Sequence, residues 1–101
     1  MTPREMILEL RALGRLQHGR EWRVADEWRP AHPSTDALPC VRGRATAGGG
    51  VDVLAVVDVS GSRAVWRAWT GTGWRSSEAV SVEAARMAAD EVLLEQGWLL
   101  L

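Results

Sequence analysis

Apolar and polar residues alternate most regularly along "VDVLAVVDVSGSRAVWRAWTGTGWRSS", residues 51 to 77. Val51, Val53, Ala55, Val57 and Val59 share one parity, while Asp52 and Asp58 lie on the other. That alternation predicts a strand with one buried and one mixed face. Glycine and serine clusters at 48–50, 60–62 and 71–73 read as turns. The segment therefore predicts an antiparallel meander with strands at about 40–47, 51–59, 63–70 and 74–78.

Helical spacing appears at both ends of the chain. In "TPREMILELRALGRLQHG", Thr2 caps, Pro3 takes the first helical position and Glu5 completes a capping box. Met6, Ile7, Leu10, Leu13 and Leu16 then follow on one face, and His18 and Gly19 end the run. A helix is predicted over 3–17. In "SVEAARMAADEVLLEQGWLLL", Ser81 is an N-cap, with Glu83 in the first turn. Val82, Ala85, Ala89, Val92 and Leu93 share a face whose small residues let a helix lie close on a sheet. Gly97 fits the position after the cap, and Trp98 folds back on the last turn. Leu99 and its two followers either add a terminal strand or plug the core. Between the ends, Trp22 and Val24 alternate with charges and allow a short strand, and Pro30, Pro33 and Pro39 force a loop at about 29–39. No internal repeat is visible. The fold class predicted is α+β: one domain over 1–101, an antiparallel β-meander of three to five strands with an N-terminal and a C-terminal helix.

Strand parity divides the tryptophans. A two-residue loop at Gly61-Ser62 or Ser60-Gly61 puts Trp66, with Ala64 and Ala68, on the Val/Ala stripe, and so in the core. Trp69, with Val65 and Arg67, falls on the other face beside Leu54 and Val56; a three-residue loop would swap the two sets. Arg42, Arg44 and Arg67 are expected on the Trp69 face. Either the first helix covers that face, making Trp69 a second core residue, or it is an open arginine–tryptophan surface of the kind used by protein interfaces and base-stacking platforms. Trp74 reads as a sheet-edge packing residue. Trp22 and Trp28 flank the proline loop, and Trp28 is the better exposed anchor. The candidate interaction residues are thus Trp69, Arg67, Arg42, Arg44 and Trp28.

Composition tempers what residue types mean. The chain has twelve Arg but no Lys, Phe, Tyr or Asn, as a GC-rich genome would produce. Arginine here need not signal bidentate recognition, and tryptophan stands where another chain would use Phe or Tyr. Net charge is −1. Residues 1–50 carry eight Arg against six acids, and residues 51–101 four against seven. This mild dipole is not the basic footprint of a nucleic-acid binder. The single Cys40 has no internal disulfide partner, which predicts a reduced, cytoplasmic setting. Residues 1–20 carry charges throughout without a continuous apolar run, so neither a signal peptide nor a membrane span is expected.

Candidate chemistry is sparse. His32, Asp36 and Cys40 have helical spacing, but Pro33 and Pro39 argue against a helix there, so no metal site is expected. "GTGWRS" lacks the third glycine of a nucleotide-binding loop and lies between strands, so no cofactor is expected. Cys40 with His32 or His18 would be the only nucleophile pair, without a third member to orient it. Asp52 and Asp58 are ~20 Å apart along one strand, too far for paired-carboxylate catalysis. The reading is non-enzymatic.

Three resemblances bear on function. Strands followed by "GTGWRSS" and "EAARMAADEVLLEQG" resemble the double-stranded-RNA-binding domain over residues 40–97. That family's lysine cluster at the start of its last helix is replaced by Ser76, Ser77, Glu78, Ser81 and Glu83; acids there repel phosphate, and no RNA-binding residue carries over. "VWRAWTGTGW…SVEAARMAADEVLLEQGWLLL" resembles small phage and prophage accessory proteins, anti-CRISPR inhibitors among them, which place a tryptophan-rich hairpin before an Ala-rich helix. That likeness implies binding to a host protein. The layout is also similar to the arm-type β-sheet domains of phage integrases, which implies DNA binding. Two function classes follow: a protein-binding domain, such as a phage accessory protein inhibiting a host complex, and a nucleic-acid-binding sheet using Arg42, Arg44, Arg67 and Trp69. The second is disfavoured by net charge. A homodimer is compatible with either.

Overall fold

The computed structural model describes residues 5–6, 23–32, 38–46 and 48–101. In chain order these form β1 (Val24–Ala25), β2 (Arg29–Pro30), β3 (Cys40–Ala45), β4 (Val51–Ser60), β5 (Arg63–Trp69), β6 (Trp74–Ala79), the helix α1 (Val82–Glu95) and β7 (Leu99–Leu100). Of the helix expected over 3–17, Glu5 and Met6 are described and are helical; the rest of that expectation lies outside the described residues. Trp22 also lies outside them.

Strands β2 to β6 make one antiparallel sheet in sequence order, while β1 and β7 pair in parallel as a separate two-stranded unit. The β4–β5 turn is the two-residue loop Gly61-Ser62, with Ser60 paired to Arg63 and Gly61 at φ +64°. That register sets Val57 opposite Trp66 and Ala55 opposite Ala68. Trp66 is accordingly in the core, 7% exposed. The expected proline loop starts later than 29, because Arg29 and Pro30 pair with Val41 and Cys40. Proline is tolerated there because β2 is a sheet edge. Cys40 opens β3 as a small buried residue.

One expectation about β4 is corrected. Its alternation does not run unbroken. The β3–β4 pairing slips between Arg42 and Gly43, so that Arg42 faces Ala55, Gly43 faces Val53 and Leu54 is the extra residue. This bulge makes Leu54 and Ala55 buried in succession and reverses the phase beyond them. Val51 and Val53, expected on the buried face, are exposed. Gly43 suits the slip: a Cβ there would meet the Asp52 carbonyl oxygen at 2.6 Å.

Helix α1 begins at Ser81, whose Oγ accepts from the Ala84 amide at 3.1 Å. It ends in a Schellman motif. Gly97, at φ +84°, donates to the Leu94 carbonyl, and Trp98 donates to the Leu93 carbonyl. Ala85, Ala89, Val92 and Leu93 are buried against one sheet face. Trp98 folds back into the same core, and Leu99–Leu100 pairs with β1 instead of ending as a loose plug.

Candidate functional site

The β3–β4 and β5–β6 turns lie at one end of the sheet. Helix α1 runs back towards that end, where Glu95 meets Arg75 at the start of β6 at 3.9 Å. Trp98 follows immediately. A cleft of about 420 Å³ opens there, lined by Arg23, Arg44, Asp52, Val53, Leu54, Trp69, Trp74 and Trp98.

Each wall has a local cause. Trp69 ends β5 and Trp74 begins β6, directly opposite it; their rings meet edge to face, 5.4 Å between centroids and 67° between planes. Trp69 is half-buried, whereas Trp74 is 48% exposed. Leu54 and Val53 reach the cleft because the bulge turns that stretch of β4. Trp98 is held by the Schellman turn, with Arg23 stacked 4.4 Å and Arg44 5.6 Å from its ring centroid. Arg23 also donates to the Gln96 carbonyl at 2.6 Å. Arg44 meets Asp52 at 3.4 Å, both side chains being half-exposed. Among the described residues the Trp98 Nε1 donor is buried and meets no acceptor.

Of the residues singled out from sequence, the structure brings Trp69 and Arg44 together in this cleft. Arg67 sits elsewhere, on the sheet face opposite α1, in a separate hollow with Val56, Asp58 and Val65. Arg42 is a correction. It is on the helix-covered face, not beside Trp69, because its register partner is Ala55. It is 5% exposed and held by four hydrogen bonds. Nε and Nη2 grip the two Asp90 carboxylate oxygens at 3.0 and 3.3 Å. Nη1 donates to the main-chain oxygens of Asp26 and Leu101, both at 2.9 Å. Trp28 belongs to this network and is only partly exposed: its Nε1 donates to Asp90 at 3.1 Å, and Arg42 lies over its ring. The expected Arg42/Arg44/Arg67/Trp69 surface is therefore split among three places.

Sequence reasoning missed Arg23, Trp98 and Asp52 as cleft residues and assigned Trp74 to packing alone. The signal for Trp98 was present in its fold-back after Gly97. For Arg23 none was, because it reaches the cleft through the β1–β7 pairing. Among the described residues, no group of three or more His, Cys, Asp or Glu gathers with metal-binding geometry, and no helix is long and apolar enough to cross a membrane. Asp36 lies outside the described residues. Comparison with family models, with curated proteins and with solved structures finds no match to this chain.

Proposed function

We propose that the chain is a non-enzymatic protein-binding domain that takes a short partner segment in the end cleft. The segment pairs an apolar or aromatic side chain with a carboxylate. The observation that carries this reading is the convergence of Trp69, Trp74 and Trp98 with Arg23 and Arg44 on one concave site. Tryptophan and arginine are the residues most often found as binding hot spots. A mostly apolar pocket with a few placed polar groups is the usual form of a recognition site.

The chemistry of the segment follows from the lining. Val53, Leu54 and the indoles offer an apolar floor. Two guanidinium groups against the one Asp52 carboxylate leave a net positive charge. Arg44 is already matched by Asp52, while among the described residues Arg23 pairs with no carboxylate and donates to the neutral Gln96 carbonyl. The resemblance to small phage accessory proteins, which act by binding a host protein, points the same way. The four residues named for the nucleic-acid reading do not form one exposed patch, which favours the protein-binding reading over it.

Selection of a displayed random-peptide library against the protein tests the proposal. Enriched sequences are expected to carry a large apolar residue close to Asp or Glu. Their affinity should fall at least about tenfold in Trp74→Ala and in Arg23→Glu. No enrichment, or enrichment indifferent to both changes, would overturn it. Binding to single-stranded nucleic acid that collapses with salt would favour the alternative.

A further inference from the structure

Among the described residues strand β6 is a sheet edge, and its outward backbone groups can pair with those of a second copy. We propose that the chain dimerises by antiparallel pairing of β6 with β6 of a second copy, centred on Ser77. This goes beyond the cleft and does not depend on it.

The hydrogen-bond phase comes first. Thr70 donates to the Gly73 carbonyl across the β5–β6 turn. Antiparallel pairs alternate between bonded and non-bonded. So Ala68–Arg75, Trp66–Ser77 and Ala64–Ala79 are the bonded pairs. The two-residue β4–β5 loop gives the same phase from the other side of β5, since it spends Val65 and Arg67 on β4. The main-chain groups of Trp74, Ser76 and Glu78 therefore point off the open edge. Val80, the next position of that parity, lies one residue past β6, at the bend that leads into the helix cap Ser81.

A two-fold axis normal to the sheet pairs only residues that share a face. Every register centred on a residue sets outward groups of one copy against those of the other, and the two nearest the middle of β6 are centred on Ser76 and Ser77. Centring on Ser76 places Trp74 opposite Glu78 and leaves Val80 uncovered. Centring on Ser77 places Trp74 opposite Val80 and Ser76 opposite Glu78. Trp74 is 48% exposed and Val80 83% exposed, so the second register covers two large apolar side chains per copy. It also matches charge. Arg67 is the β5 neighbour of Ser76, so Glu78 of the second copy lies two strand spacings from Arg67 on the same face, ~10 Å between backbones. Long side chains span that distance across a short serine. The Arg63–Glu78 contact within one chain, at 3.9 Å between exposed groups, is too weak to hold Glu78 back. Val80 of the second copy would then stand beside Trp74 as an outer wall of the cleft.

Sedimentation over a wide concentration series reads the result. The wild type should pass from one to two chain masses. Ser76→Pro deletes an outward N–H without touching a bond to β5, so it should keep the native circular dichroism while weakening dimerisation at least about tenfold. Glu78→Arg should weaken it similarly by facing Arg67, and Arg67→Glu in the same chain should restore it. A wild type that stays monomeric throughout overturns the proposal. So does a dimer that both Ser76→Pro and Glu78→Arg leave unchanged, which would place the contact on another surface.

Discussion

An arginine carries five N–H donors and a charge it does not lose, so Arg42 is buried only because the fold supplies acceptors. Asp90 of α1 takes two of its hydrogen bonds, and the main chain at Asp26 and Leu101 takes two more. Removing one member of such a pair strands the other. Arg42→Met should therefore lower unfolding free energy by about 3 kcal/mol, read by urea denaturation. Asp90→Leu combined with it should cost less than the two single losses summed, with a coupling of about 1 kcal/mol or more. Strictly additive losses would show that the pair does not act as a unit. This residue also marks a limit of sequence reading. Its type and strand position suggest surface, and the acid that makes burial tolerable lies 48 positions away. Trp66 was legible because its placement rests on a local quantity, the length of one turn.

At the scale of elements, α1 is bounded by two devices that the sequence spells out. Ser81 satisfies the Ala84 amide, and Gly97 adopts a left-handed conformation that an L side chain resists. Ser81→Ala and Gly97→Ala should each destabilise by about 1 kcal/mol in thermal or urea unfolding. Gly48→Ala, where an added Cβ meets nothing within 4 Å, should be neutral within about 0.5 kcal/mol. A neutral Gly97→Ala would contradict the Schellman assignment. Caps and turns are written in particular residue types, which is why four strands of the meander and the C-terminal helix were readable to within a residue or two. The bulge was not. Residues 53–57 are all apolar, so no polar side chain marks where the phase slips at Leu54. The consequence is large for so small an irregularity: Val51 and Val53 change face, and Leu54 becomes a cleft wall.

The whole molecule assembles a site that no stretch of sequence contains. Arg23 and Trp98 lie near opposite ends of the chain and meet because Leu99 donates to the Arg23 carbonyl as β7 joins β1. Trp69 and Trp74 meet them because both hairpin turns and the end of α1 share one end of the sheet. Sequence reasoning expected Trp69 and Arg44 on one face, and both line the cleft. It could not see that Arg42 and Trp28 are committed to Asp90, or that Arg67 faces another hollow. The indole N–H groups divide along the same line, which makes them direct reporters of the central claim. In a two-dimensional proton–nitrogen NMR titration with a library-selected peptide, the indole signals of Trp69, Trp74 and Trp98 should move together, while those of Trp66 and Trp28 stay in place. Movement confined to Trp28 or Trp66, or no indole movement while the peptide binds, would contradict the assignment of the end cleft as the working surface.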